Sequence, residues 1–185
     1  MEKIKAITVL QPWATLWASD LKQYETRGWE TLIRGRFAIH AGQEAQFNFT
    51  PEQTTALRQA FGLSEGIDLT EYIKGLPRGA VIAVADLVDC YKIARWSDGF
   101  GLEGRLLKNK DGSLQRDEHG RRIPWKDRPL PGYEEILFGD FRESRFAWEK
   151  TNTIMLPEPL PYRGNQRLWD IPDEIIEKAL QGSAQ

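Results

Sequence analysis

The chain has 185 residues and a mass of 21.3 kDa, enough for a sizeable core, with 41% hydrophobic and 28% charged residues as in ordinary globular proteins. Twenty-five Lys and Arg against 27 Asp and Glu leave a net charge of -2, which excludes coating of nucleic acid or an anionic membrane by bulk charge and leaves only a local basic face. A single cysteine, Cys90, and two histidines, His40 and His119, exclude an intrachain disulfide, a thiolate zinc cluster and a histidine-rich metal site, so no metal and no organic cofactor is expected.

In chain order, Lys5 to Leu10 reads as a first strand. Pro12 then opens a short helix at its first position, where Trp13, Leu16, Trp17 and Leu21 fall at helical spacing and form one apolar stripe. Tyr24 to Trp29 is a strand on which Glu25, Arg27 and Trp29 share a face. Arg34-Gly35-Arg36 makes a turn into a strand from Phe37 to Ala41. Thr50-Pro51-Glu52-Gln53 joins a capping box to a proline at the first helical position, which predicts a helix over about 51–61. A second helix is expected around Leu69 to Ile73, closed by Gly75 and Pro77.

Ala80 to Cys90 is the most strand-like stretch, although its apolar run is far too short to span a bilayer. Arg95 to Gly132 differs from the rest, with nine basic residues against six acids and the turn signals Asp111-Gly112 and His119-Gly120. About 98–130 is therefore expected to be an insertion, forming either two small hairpins or a loop. Later strands are expected at Arg145 to Glu149 and Gln166 to Ile171, separated by a proline-rich turn from Leu156 to Pro161. A terminal helix covers Pro172 to Leu180, and residues 182–185 are expected to be a flexible tail. Short strands and a few helices without βαβ order predict one α+β domain over 1–181, built on a small barrel or strongly curved sheet. The N-terminus lacks the apolar stretch of a signal peptide, so a cytoplasmic protein without a membrane partner is expected.

Gln11-Pro12-Trp13-Ala14, Lys22, Glu25-x-Arg27, Trp29 and Arg34-Gly35 line up as one constellation. It continues through Gly79 to Cys90, Gly139-Asp140-Phe141, Arg145 to Trp148, and Arg163-Gly164-Asn165-Gln166 to Pro172. Across most of its length the chain resembles the ASCH family (activating signal cointegrator homology), a branch of the PUA-like superfamily. The resemblance implies a small β-barrel with flanking helices and a positively charged cleft associated with RNA, modified nucleosides or DNA. It also implies, for some small members, an amidohydrolase of N4-acylated cytidine with a Lys-x-x-Thr pattern and a separate acid. Lys22 matches that lysine, but Glu25 stands where the threonine would be, and Asp86, Glu134 and Glu135 are the acids on offer.

A carboxylate three residues from a lysine favours its ammonium form, the opposite of what a general base needs. The leading expectation is therefore a binder of RNA or a nucleotide-like ligand, with DNA as the alternative partner. Its cleft is assigned to Trp13, Lys22, Glu25, Arg27, Trp29, Arg34, Arg36 and Arg145. Trp29 is the stacking candidate, Arg34 and Arg36 the phosphate contacts, and Glu25 an acceptor for an exocyclic amino group. The rival class is a hydrolase, acting on a modified nucleoside or as a ribonuclease, with Lys22 and Glu25 catalytic. A protein-interaction module, in which these residues would be dispensable, is the third. His40 is expected to be a satisfied strand residue, Cys90 a small buried hydrophobe and Trp17 core.

Overall fold

A computed structural model describes residues 2–96, 99–103, 127–129 and 131–182. The chain divides into two compact units, the first from Met1–Gln23, Arg34–Leu87 and Lys150–Gln185, the second from Tyr24–Ile33 and Val88–Glu149. In the first unit, β1 (Lys3–Gln11), β3 (Gly35–Ala45), the start of β4 (Ala80–Trp96), the end of β7 (Phe146–Pro161) and β8 (Leu168–Pro172) are strands. The order is β7-β4-β3-β1-β8. The sheet is mixed, since β1 runs parallel to β3 while β3–β4 and β1–β8 are antiparallel. In the second unit β2 (Tyr24–Arg27) pairs with the start of β7, and the end of β4 pairs with β5 (Gly99–Glu103), itself paired with β6 (Asp127–Pro129). The α+β class expected from the sequence is the one adopted, and among the described residues the strand path is open rather than closed into a barrel.

Local signals account for two helices. In α2 (Pro51–Ala60) the Thr50 hydroxyl accepts from the Gln53 amide at 3.2 Å and the Gln53 side chain accepts from the Thr50 amide at 3.1 Å. In α3 (Leu69–Lys74) the Asp68 carboxylate accepts from the Glu71 amide at 2.8 Å. The first helix, α1 (Trp13–Ala18), departs from expectation, because Pro12 precedes it as its cap and it ends three residues before Leu21. Asp20 takes a left-handed backbone, φ 59°, and Leu21 is 43% exposed, outside the buried stripe of Leu16 and Trp17. The other helices are α4 (Tyr133–Leu137) and α5 (Asp173–Leu180).

Two strands outrun their sequence signals. β4 continues to Trp96, and β7 runs straight through the proline-rich segment expected to be a turn. Pro157, Pro159 and Pro161 fall at period two, so their missing N–H groups all face one side of the strand. Bonding remains possible on the other side, from which the Tyr162 amide donates to the Gly79 carbonyl at 3.1 Å.

Each unit has its own apolar cluster. In the first, Ala6, Ala38, Val81, Val84, Leu156, Trp169, Ile171 and Ile176 are buried together, so α5 lies on the sheet through Ile176. In the second, Tyr24, Tyr91, Ile93, Leu102, Phe141 and Ala147 form the cluster. Leu102 belongs to the expected insertion, most of which lies outside the described residues, yet it is fully buried. Glu103 pairs directly with Asp127. Replacing 104–126 by a two-residue Asn-Gly turn is therefore expected to leave one cooperative thermal transition, since a hairpin turn suffices between paired residues. Deleting 98–130 removes Leu102 and is expected to lower the transition markedly, and equal transitions for the two variants would overturn this reading.

Candidate functional site

In the first unit, the Gln11-Pro12-Trp13 segment is built around a buried amide. The Gln11 side chain donates from Nε2 to the Pro77 carbonyl at 2.7 Å and accepts from the Thr15 amide at 3.1 Å. It thereby caps the first turn of α1, where Pro12 offers no side-chain acceptor. The Gln11–Pro12 peptide is cis. Trp13 is half-buried, with Nε1 donating to Gln46 at 3.1 Å and its ring edge-on to Phe49. Lys22 is 2% exposed and its ammonium lies 5.9 Å from the Trp13 ring centroid, a cation–π contact. These two site candidates are thus brought together.

Arg34 is half-buried ahead of β3. Arg36, assigned to phosphate from the sequence, forms ion pairs with Glu177 and, at 3.4 Å, with Asp173 of α5. A further ionic cluster was not foreseen. The buried Lys150 ammonium donates to Asp20 and, at 2.6 Å, to the Thr153 hydroxyl. Burial works to raise the Asp20 carboxyl, but the bonds from Lys150 and Thr153 outweigh it and hold the group below the usual carboxylate range.

The second unit holds four candidates: Glu25 and Arg27 on β2, Trp29 two residues beyond the strand expected to include it, and Arg145 just before β7. Glu25 is buried and pairs with Arg27 at 3.0 Å. Trp29 is half-buried and meets the fully buried Trp148 ring edge-on, 4.6 Å between centroids at 90°. A Cβ on Gly28 would lie 3.7 Å from the Arg145 guanidinium, which places Arg145 beside the same stretch of chain. Arg145 in turn contacts Asp140 at 3.2 Å. The bonds from Arg142 hold the Asp140 carboxyl low, with burial working against them. The Asp140 amide meets the Thr26 hydroxyl at 2.8 Å, joining the Gly139-Asp140 segment to β2. Of the acids considered for catalysis, Glu135 accepts from the Tyr24 amide at 2.9 Å and Glu134 is exposed. In the first unit, Asp86 is half-buried and accepts from Asn152 at 2.9 Å.

His40 sits on β3 with 2% exposure and its Nε2 is 2.9 Å from the Tyr162 carbonyl. A carbonyl only accepts, so Nε2 carries the proton. Burial lowers its pKa below the usual 6.5, against the opposing Tyr162 bond. The unfolded chain then binds the proton more readily, so this contribution to stability is complete above about pH 6.5 and is lost as pH falls below it. Urea unfolding at about pH 7.5 and pH 5.5 should show the parent losing more stability than His40→Gln over that interval, and parallel losses would refute the assignment.

Among the described residues no cluster of His, Cys, Asp and Glu is arranged to hold a metal ion, and no helix is long and apolar enough to cross a membrane. No family model matches the chain. Similarity is found instead to activating signal cointegrator 1 of Homo sapiens, 31% identical over 176 residues, and to that of Mus musculus, 30% identical over the same length. Both alignments cover 95% of this chain and 24% of the relative, so the chain spans about a quarter of the length of the curated relatives it matches. With the motif positions now placed on an open α+β sheet and 95% of the chain aligned to the protein for which the family is named, the chain belongs to the ASCH family.

Proposed function

We propose that the β2 face of the second unit binds RNA or a nucleotide-like ligand. One observation carries this reading: Trp29, half-buried in the bend that follows β2, is braced edge-on by the buried Trp148. A ring held in this way can receive a base without first losing rotamer freedom. The Arg145 guanidinium beside Gly28 supplies positive charge for a phosphate. Glu25, fixed by Arg27, supplies acceptors for an exocyclic amino group. The association of the ASCH family with RNA and nucleotides supports the same reading. In the first unit, Trp13, Lys22, Arg34 and Arg36 remain assigned to ligand binding from their motif positions alone, and Arg36 would have to exchange its α5 partners to contact a phosphate.

The test is fluorescence anisotropy of labelled RNA and DNA oligonucleotides across a salt series. Trp29→Ala is expected to cost roughly 1–3 kcal/mol of binding with little change in salt slope, because a lost stack releases no counterions. Glu25→Gln should change base preference more than affinity. Parent-like binding by Trp29→Ala would remove the β2 face from the reading. A parent that binds no oligonucleotide but changes the absorbance of N4-acetylcytidine would replace it with the hydrolase.

A further inference from the structure

The Arg163-Gly164 motif takes no part in the β2 face, and it lies in the first unit beside a cavity of about 540 Å³. His40, Gln43, Gly79, Tyr162, Arg163 and Gly164 line this space, whose size suits a small organic ligand. Its polar groups are prepared but unused. With Nε2–H committed to the Tyr162 carbonyl, His40 Nδ1 is a bare lone pair, buried and without a hydrogen-bond partner. The groups around the ring are Thr8 opposite on β1, Val81 opposite on β4, Trp169 edge-on at 5.6 Å, Tyr162 and Gly164, none of them a carboxylate. Burial keeps the ring neutral near pH 7, so Nδ1 remains an acceptor.

Two glycines keep side chains off these groups. A Cβ on Gly164 would stand 2.4 Å from His40 Cε1 and 2.6 Å from Nδ1. A Cβ on Gly79, at φ +63°, would stand 2.0 Å from the Gln43 amide nitrogen. Tyr162 is held in place by stacking on Trp169, 11° from parallel. Arg163 is exposed, and among the described residues it has neither an ion pair nor a hydrogen-bond partner.

We propose that this cavity binds a phosphate monoester, with Arg163 taking the phosphate charge, His40 Nδ1 accepting the proton that the phosphate carries, and the Gln43 amide donating to a remaining oxygen. The proton decides the class. Near pH 7 a carboxylate, a sulfate or a phosphodiester has none, so its oxygen would set a lone pair against the lone pair of Nδ1. A monoester, with a second pKa near 6, keeps a proton at small cost and offers both the charge and the O–H. Phosphates inside a nucleic-acid strand are diesters and do not meet this requirement. The site therefore goes beyond the reading of the β2 face and does not depend on it.

The experiment is an NMR titration of the full chain, with ¹⁵N-labelled imidazole, using inorganic phosphate, glycerol phosphate and sulfate as probes. Glycerol phosphate should move the His40 Nδ1 signal out of the bare lone-pair range and bind about tenfold or more tighter than sulfate, a difference of about 1.4 kcal/mol. Arg163→Ala should weaken it by about tenfold, while Trp29→Ala should bind it like the parent. Sulfate binding as tightly as phosphate would mean an adventitious anion only, and an unmoved Nδ1 signal or an unaffected Arg163→Ala would equally overturn the proposal. Glycerol phosphate no tighter than inorganic phosphate would overturn the monoester and leave free phosphate as the ligand. A Trp29→Ala variant that loses RNA but keeps glycerol phosphate would show that the two sites are independent.

Discussion

Trp17→Ala is expected to lower the unfolding free energy by about 3–5 kcal/mol, the largest loss from any single side chain considered. Trp17 is fully buried and its ring lies 5.4 Å from that of Phe37 on β3, tilted by 44°. Helix α1 has six residues, far below the length at which a helix holds itself together in water. Its place depends on Leu16 and Trp17 reaching the sheet, and an alanine would leave a cavity that a short capped helix can only partly fill. The indole Nε1 is buried without a partner, so its hydrogen-bonding capacity adds nothing to stability. Trp17→Phe should accordingly cost much less, because it keeps most of the apolar volume and removes that orphaned group. Each kcal/mol corresponds to about 2–4 °C in a chain of this size, so the alanine variant should melt roughly 6–20 °C lower. Urea unfolding followed by circular dichroism gives the free energies, and equal losses for the two variants would show that volume is not what Trp17 contributes.

Gln11→Leu is expected to cost about 2–4 kcal/mol although it adds apolar surface to the interior. Gln11 is fully buried, and its amide satisfies the Pro77 carbonyl and the Thr15 N–H together. A leucine of similar size removes both partners at once, and each orphaned group costs about 1–3 kcal/mol, less where water can reach it. Both Thr15 and Pro77 are half-buried, which sets the estimate below the full sum. Hydrogen exchange supplies a local reading, because the Thr15 amide should lose protection more than the amides of α2. Gln11→Glu sharpens the test through its pH dependence. Ionised, the carboxylate would accept from Thr15 but oppose the Pro77 carbonyl. Protonated, it can donate to Pro77 as the amide does. Its folded-state pKa is therefore raised, and the deficit relative to the parent should shrink as pH falls below that value. A deficit independent of pH would show that the Pro77 bond contributes nothing.

The sequence by itself determined what neighbouring residues can settle among themselves. The α2 start was legible because the capping box and proline act within four residues, and the central strand because Ala80 to Cys90 is apolar on both faces. Strand periodicity put Glu25 and Arg27 on one face, where they pair, but the strand expected to reach Trp29 ends at Arg27, so the place of Trp29 against Trp148 comes from the packing of the bend that follows. The extent of α1 did not follow from spacing, because Leu21 fits the stripe and only the left-handed Asp20 turns it to solvent. The three prolines from 157 to 161 carry a turn signal as a string, yet they form strand because all their blocked N–H positions face away from the bonded side. The role of Gln11 was likewise invisible, since its partners lie on a helix and on a loop 66 residues away. His40 and Gly164 meet only because β3 and the segment before β8 flank the same strand, β1, and no pattern within either segment encodes that meeting. Contacts between distant segments depend on register and on which strand lies next to which, and those are decided only when the whole chain has packed.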